Sequence, residues 1–209
     1  MVKNPMRPSR ADYYAVLAKH LPEDALVVTA LGNASYLWAA MQHRPANFYL
    51  EDAMGLALPL ALGLALAQPS RRVVVVEGDG GLFMHLGALV TLGAMSPKNL
   101  TVLLIQNDAH AASGGQPLTN AGLDLAQLAR AAGVAQTDNI ATPAELAAAL
   151  DGAIAADALQ WLVLATEPDP EVVIPPIALD PTLTKHRFTE AIAAPRYVPT
   201  MFGGGRLTG

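Results

Sequence analysis

Two apolar, β-branched runs, each broken off by a small or polar residue, constrain this chain more than any other feature. Val73-Val74-Val75-Val76 leads into Glu77-Gly78-Asp79-Gly80-Gly81, and Leu100-Thr101-Val102-Leu103-Leu104-Ile105 leads into Gln106-Asn107-Asp108. Unbroken apolar runs of this kind suit strands buried on both faces of a parallel sheet. Parallel strands need a crossover of a dozen or more residues. Asn107 follows Asp79 by 28 positions, room for one helix and a returning strand. A right-handed β-α-β unit then brings Asp79 and Asn107 to the carboxyl edge of one sheet, where open α/β sheets bind ligands. A carboxylate and an amide facing one hole are hard oxygen donors, suited to Mg²⁺ or Ca²⁺ rather than zinc.

The remaining sequence alternates in the same manner. Residues 9–21 read as an amphipathic helix with Ser9 as N-cap, followed by a strand at 26–29 that ends at Gly32-Asn33. A helix over 34–41, a strand at 48–50 and an apolar helix from about Met54 to Ala67 come next. The pattern continues with strand 73–77, helix 82–94 and strand 100–106. Residues 107–122 lack periodicity and hold Gly114-Gly115-Gln116-Pro117, so they read as a loop at the functional edge. Helices at 124–132 and 143–156, with strands near 134–137 and 161–165, close the pattern. The expected fold is α/β, a doubly wound and mostly parallel sheet with helices on both faces. Residues 1–167 form the expected domain. Residues 168–209, with Pro168, Pro170, Pro175, Pro176, Pro181 and Gly203-Gly204-Gly205, read as an arm laid over a neighbour.

Composition removes several function classes. A net charge of −5 with no basic cluster beyond Arg71-Arg72 argues against nucleic acid. With no Cys, the chain offers no disulfide, thiolate metal site or catalytic thiol. Residues 53–67 are apolar throughout, but they are shorter than the roughly 18 residues a membrane span needs, and Gly55, Pro59 and Gly63 interrupt them. A buried helix is the expected outcome. No signal peptide is apparent, so a cytoplasmic location is expected. Hydrophobic residues make up 52% of the chain, so self-association is expected to cover part of that surface.

Gly78-Asp79-Gly80-Gly81 opens a helix, so the N–H groups of Gly80 and Gly81 are expected to point at an anion, and a diphosphate fits there. A dinucleotide fingerprint beginning at Gly78 would need glycine at Phe83, and no P-loop pattern occurs. Read only as turn chemistry, Gly-Asp-Gly is also ordinary. The partner residue Asn107 favours the ligand reading.

These residues resemble the diphosphate-binding domain of thiamine-diphosphate-dependent enzymes, whose signature is Gly-Asp-Gly at one strand end and an Asn-containing step at the next. The similarity is closer to sulfopyruvate decarboxylase β subunits and phosphonopyruvate decarboxylases. It is carried by residues 44–50 (RPANFYL), Met54-Gly55-Leu56-Ala57, residues 78–87 (GDGGLFMHLG), Pro97-Lys98-Asn99-Leu100 and Ser113-Gly114-Gly115-Gln116-Pro117. The resemblance implies Mg²⁺ held by the Asp79 and Asn107 side chains and the Ala109 carbonyl. The usual Asn-Asn is Gln106-Asn107 here, and only the second Asn serves as ligand. It further implies thiamine diphosphate bound by Gly32, Asn33, Asp52, Met54, Gly78, Asp79, Gly80, Gly81 and Asn107. Met54 would be the apolar prop that bends the cofactor, and the Asp52 carbonyl would accept from its amino group. Without the resemblance, Met54 is a buried methionine at a helix start.

The implied reaction is loss of CO₂ from a small 2-oxo acid carrying a second anionic group, such as sulfopyruvate or phosphonopyruvate. The glutamate that activates the cofactor in this family lies in a pyrimidine-binding domain, for which this chain has no room. A separate α-type chain is therefore the implied partner. Glu51 and Asp52 stand where small residues are usual before the prop, and Glu51 is expected to cap the following helix. His110 stands in the cofactor-side loop. It is the candidate catalytic residue, able to donate to a substrate anion or move a proton, while a solvated loop histidine is the plainer reading. Two other classes share the pattern. One is the β chain of a 2-oxo acid oxidoreductase, which the lack of Cys disfavours if the chain must carry its own Fe–S cluster. The other is a non-catalytic cofactor-binding or scaffold subunit.

Overall fold

The computed structural model describes residues 7–168 and 180–193, with the backbone of 196–198 and 206–208. Pro170, Pro175, Pro176 and the Gly203-Gly204-Gly205 run of the expected arm lie outside these residues. The first helix, α1 (Arg10–His20), begins at a capping box. The Ser9 side chain accepts the Asp12 N–H, and the Ser9 N–H donates to the Asp12 carboxylate at 2.9 Å.

The chain then alternates through β1 (Leu26–Thr29), α2 (Asn33–Gln42), β2 (Asn47–Tyr49), α3 (Ala57–Ala67), β3 (Val73–Gly78), α4 (Asp79–Met84), α5 (Gly87–Met95) and β4 (Leu100–Gln106). A short antiparallel pair, β5 (Ala109–His110) and β6 (Gln116–Pro117), lies in the segment expected to be an irregular loop. After it come α6 (Leu125–Ala131), β7 (Gln136–Ile140), α7 (Pro143–Ala155), β8 (Gln160–Ala165) and α8 (Pro181–Ala193). The antiparallel pair β9 (Arg196–Val198) and β10 (Arg206–Thr208) follows.

Six strands form one parallel sheet in the order β2-β1-β3-β4-β8-β7. Their apolar runs serve both faces. Val73, Val75, Val102 and Leu104 pack with Ala57, Leu58 and Ala61 of α3, Leu89 and Leu92 of α5 and Ala129 of α6. The alternate residues Val74, Val76, Leu103 and Ile105 pack with Tyr13 and Leu17 of α1, Trp38 of α2, and Leu146 and Leu150 of α7. This is the doubly wound α/β fold that the apolar runs predict. On α8, Phe188 is buried against Phe48 with ring centroids 5.2 Å apart, and the Arg71 guanidinium donates to the Ala191 carbonyl at 2.7 Å.

Three elements differ most from expectation. The apolar stretch 53–67 yields the eleven-residue α3, which starts at Ala57 because Asp52 (φ 50°) and Gly55 (φ 83°) turn the chain ahead of it. Among the described residues no helix is long and apolar enough to cross a membrane. The single helix expected over 82–94 is two. α4 starts at Asp79 itself and ends at His85, whose φ of −135° leaves the helical region, and α5 restarts at Gly87, a residue that weakens helix continuity. The strand expected near 134–137 lies at 136–140. Val134 is buried ahead of it, where its N–H closes the end of α6 on the Ala129 carbonyl.

Candidate functional site

The carboxyl ends of β1, β3 and β4 share one cleft. Gly78, Asp79, Gly80, Gly81, Asn107 and Ala109 line it, and so do Asn33, Met54 and His110. The β3–β4 register pairs Gly78 with Ile105, which sets Asp79 level with Gln106 and Asn107 one residue farther out. Gly32 and Asp52 are not in the lining. Gly32 precedes α2 at φ 69°, where a Cβ would come 3.2 Å from that of Ala112, a residue of the cleft wall.

Asp79 is 2% exposed. One carboxylate oxygen accepts the Gly80 N–H at 2.8 Å and the other accepts the Asp108 N–H at 2.7 Å. The Gly80 N–H expected to face an anion is thus used by Asp79. The Asn107 amide oxygen accepts the Ala109 N–H at 3.1 Å. Each of these oxygens has two lone pairs, so one hydrogen bond fixes its direction and leaves capacity for a cation. Burial holds the Asp79 carboxyl above the usual carboxylate range and the Asp108 charge adds to this, against the pull of the Asp108 and Gly80 N–H groups. An incoming cation would compensate that buried charge.

The glycines permit close approach. A Cβ on Gly80 would lie 2.6 Å from His110 Nδ1, so the imidazole rests directly on the start of α4. A Cβ on Gly81 would collide with the Glu77 carboxylate, and one on Gly55 would come 2.7 Å from the Gly81 carbonyl oxygen. The turn carrying Met54 therefore packs against the turn carrying Asp79.

Asp108 organises the loop beyond Asn107. At φ 59° it occupies the left-handed region, which Asp tolerates better than most residues. Its carboxylate accepts from the Gly122 N–H at 3.0 Å, the Gln106 amide at 3.3 Å and the Arg7 guanidinium at 2.9 Å. Partial burial raises its carboxyl, but these donors outweigh that effect and hold it below the usual range.

Two charged cleft residues were not anticipated. Glu77, 1% exposed, accepts from the Gly78 N–H at 3.0 Å, the Leu58 N–H at 3.4 Å and the Ala57 N–H. It caps α3 from the neighbouring strand, and the N-cap Leu56 supplies no side-chain cap of its own. Glu51 therefore does not cap this helix: the turn at Asp52–Gly55 separates it from the first N–H groups, which Glu77 reaches from beneath. An acid ending a buried apolar run was the available signal for Glu77. Arg10 lines the cleft from the first turn of α1, and nothing in its local sequence marks it.

Burial pushes the Glu77 carboxyl up to about 7. A carboxyl raised by folding favours the folded state at low pH and loses that contribution as pH climbs from its ordinary value toward 7. Glu77→Gln cannot ionise. Between pH 5 and 8 in EDTA, the stability of this variant relative to the wild type is expected to improve by up to about 3 kcal/mol in urea unfolding. A difference independent of pH would contradict the assignment.

Residues 30–163 match the family profile for the thiamine pyrophosphate enzyme, C-terminal TPP binding domain. The chain is 38% identical over 162 residues to a phosphonopyruvate decarboxylase of Streptomyces viridochromogenes, covering 78% of this chain and 41% of that protein. It is 32% identical over 194 residues to the sulfopyruvate decarboxylase subunit beta of Methanocaldococcus jannaschii, covering 90% of this chain and 98% of that protein. It thus spans under half of these phosphonopyruvate decarboxylases, nearly all of two sulfopyruvate decarboxylase β subunits and 60% of a third. The fold is shared with benzoylformate decarboxylase from Polynucleobacter necessarius, with a TM-score of 0.69 and 21% identity over 81% of this chain and 34% of that one.

Proposed function

The chain belongs to the thiamine pyrophosphate enzymes, matching their C-terminal TPP-binding domain, and we propose that it is the cofactor-anchoring subunit of a thiamine-diphosphate-dependent 2-oxo acid decarboxylase. The observation that carries this reading is the convergence of buried Asp79 and Asn107 on one cleft, each with its oxygen oriented by a backbone N–H. The donor set fits the group. Asp79, Asn107 and the Ala109 carbonyl would each offer an oxygen, and Mg²⁺ would draw its remaining ligands from phosphate and water, as this ion commonly does.

The cofactor, when bound, supplies the electron sink for loss of CO₂. This chain's residues anchor, orient and exclude water. Asp79 and Asn107 hold the metal, and the glycine-lined turn admits the diphosphate. Met54, fixed on the Asp79 turn by the close contact of Gly55 with Gly81, would be the apolar residue against which the cofactor rests. His110, resting on Gly80, is placed to meet a substrate anion or deliver a proton.

The glutamate needed to activate the cofactor is assigned to a separate pyrimidine-domain chain, completing a cytoplasmic assembly. Glu77, the glutamate lining the cleft, is engaged by three backbone N–H groups and cannot take that part. Relatives matched over almost their full length are named as β subunits, which supports a divided enzyme. Their named substrates favour a small 2-oxo acid bearing a sulfonate or phosphonate. Met84 (63% exposed) and Val90 (64%), on the helices that leave the cleft, offer an apolar surface for a partner or a second copy.

Calorimetric titration with thiamine diphosphate tests the anchoring role. Binding with Mg²⁺ present is expected to weaken at least about tenfold in EDTA. Binding indifferent to EDTA would contradict it.

A further inference from the structure

Arg10, only 7% exposed, lines the same cleft as Asp79 and Asn107. Its placement follows from contacts on either side. One turn farther along α1, the Tyr14 hydroxyl donates to the Ala34 carbonyl at 3.1 Å, which seats the helix on the start of α2. Ahead of α1, the Glu167 N–H donates to the Pro8 carbonyl at 3.1 Å and Arg7 pairs with Asp108 at 2.9 Å, which seats that segment on the ends of β8 and β4. Arg10 lies between these two attachments, in the wall shared with Asn33, Asp79 and Asn107. Arg7 and Arg10 thus divide the work: the first fastens the segment and the second reaches the cleft.

We propose that Arg10 binds the terminal phosphate of the cofactor's diphosphate, as a second cation beside the metal. The proposal rests on the cofactor reading above. A diphosphate ester carries between two and three negative charges near neutrality, and Mg²⁺ must also offset the Asp79 carboxylate. The metal alone leaves the cleft negative. A buried guanidinium facing that deficit is a strong form of compensation, because its planar fork binds two oxygens of one phosphate. Arg10 already has an interaction within the chain, and its five N–H donors allow it to keep that contact while receiving an oxyanion.

Titration calorimetry of the full chain with Mg²⁺ and either thiamine diphosphate or thiamine monophosphate tests this, because only the diphosphate has the terminal group. Arg10→Gln is expected to weaken thiamine diphosphate binding about 10- to 100-fold, with monophosphate binding changed by less than about threefold. Arg10→Lys keeps the charge without the fork and is expected to fall between. Thermal unfolding without ligand checks that each variant is folded, and if the Gln variant is not, the Lys variant's diphosphate-to-monophosphate ratio decides. Equal loss for both ligands, or no loss, overturns the role of Arg10. A wild-type chain that binds neither ligand overturns the cofactor reading itself, and this proposal with it.

Discussion

Asp79→Ala is expected to weaken thiamine diphosphate binding in Mg²⁺ by about 100-fold or more, read by calorimetry, while leaving the fold intact. The carboxylate is the only charged ligand in the donor set, and a neutral methyl leaves the metal one amide and one carbonyl. The same change removes a carboxyl whose burial counts against it but also the acceptor of the Gly80 and Asp108 N–H groups, so stability without ligand is expected to fall by about 1–3 kcal/mol. Asn107→Ala removes a neutral donor and is expected to do less damage. Unchanged binding by Asp79→Ala would show that the metal assignment is wrong.

Gly93→Ala is expected to lower stability by about 3 kcal/mol, a loss at the upper end for an overpacked site. A Cβ at Gly93 would overlap the Ala132 carbonyl oxygen and lie 2.8 Å from its carbon. That atom is backbone, so relief requires moving the end of α6, which Leu125, Ala126 and Ala129 tie into the core. Urea unfolding measures the loss. A change within about 0.5 kcal/mol would mean that α5 and α6 can separate at little cost.

What was legible in the sequence was legible because one physical constraint acted on many residues at once. Val73–Val76 and Leu100–Ile105 must be buried on both faces, and that requirement leads to parallel strands, a crossover and a shared carboxyl edge for Asp79 and Asn107. The features that escaped depend on single contacts across the fold. Glu77 caps α3 from another strand, a pairing 19 residues long that takes the place of the local cap expected of Glu51. Arg10 reaches the cleft only because α1 is seated on α2 and the strand ends. The break between α4 and α5 falls at His85–Gly87, inside a stretch whose mainly apolar composition reads as one helix. Met54 lies in a turn rather than a helix because Asp52 and Gly55 take left-handed conformations that the apolar composition of 53–67 conceals.

The claim that this chain holds the cofactor but does not complete the catalytic site is tested most directly by turnover of the purified chain. Sulfopyruvate and phosphonopyruvate are supplied with thiamine diphosphate and Mg²⁺, with and without a pyrimidine-domain chain carrying the activating glutamate. The expected result is no decarboxylation by the chain alone and decarboxylation of one of these acids when the second chain is added. Robust turnover by the isolated chain would contradict it.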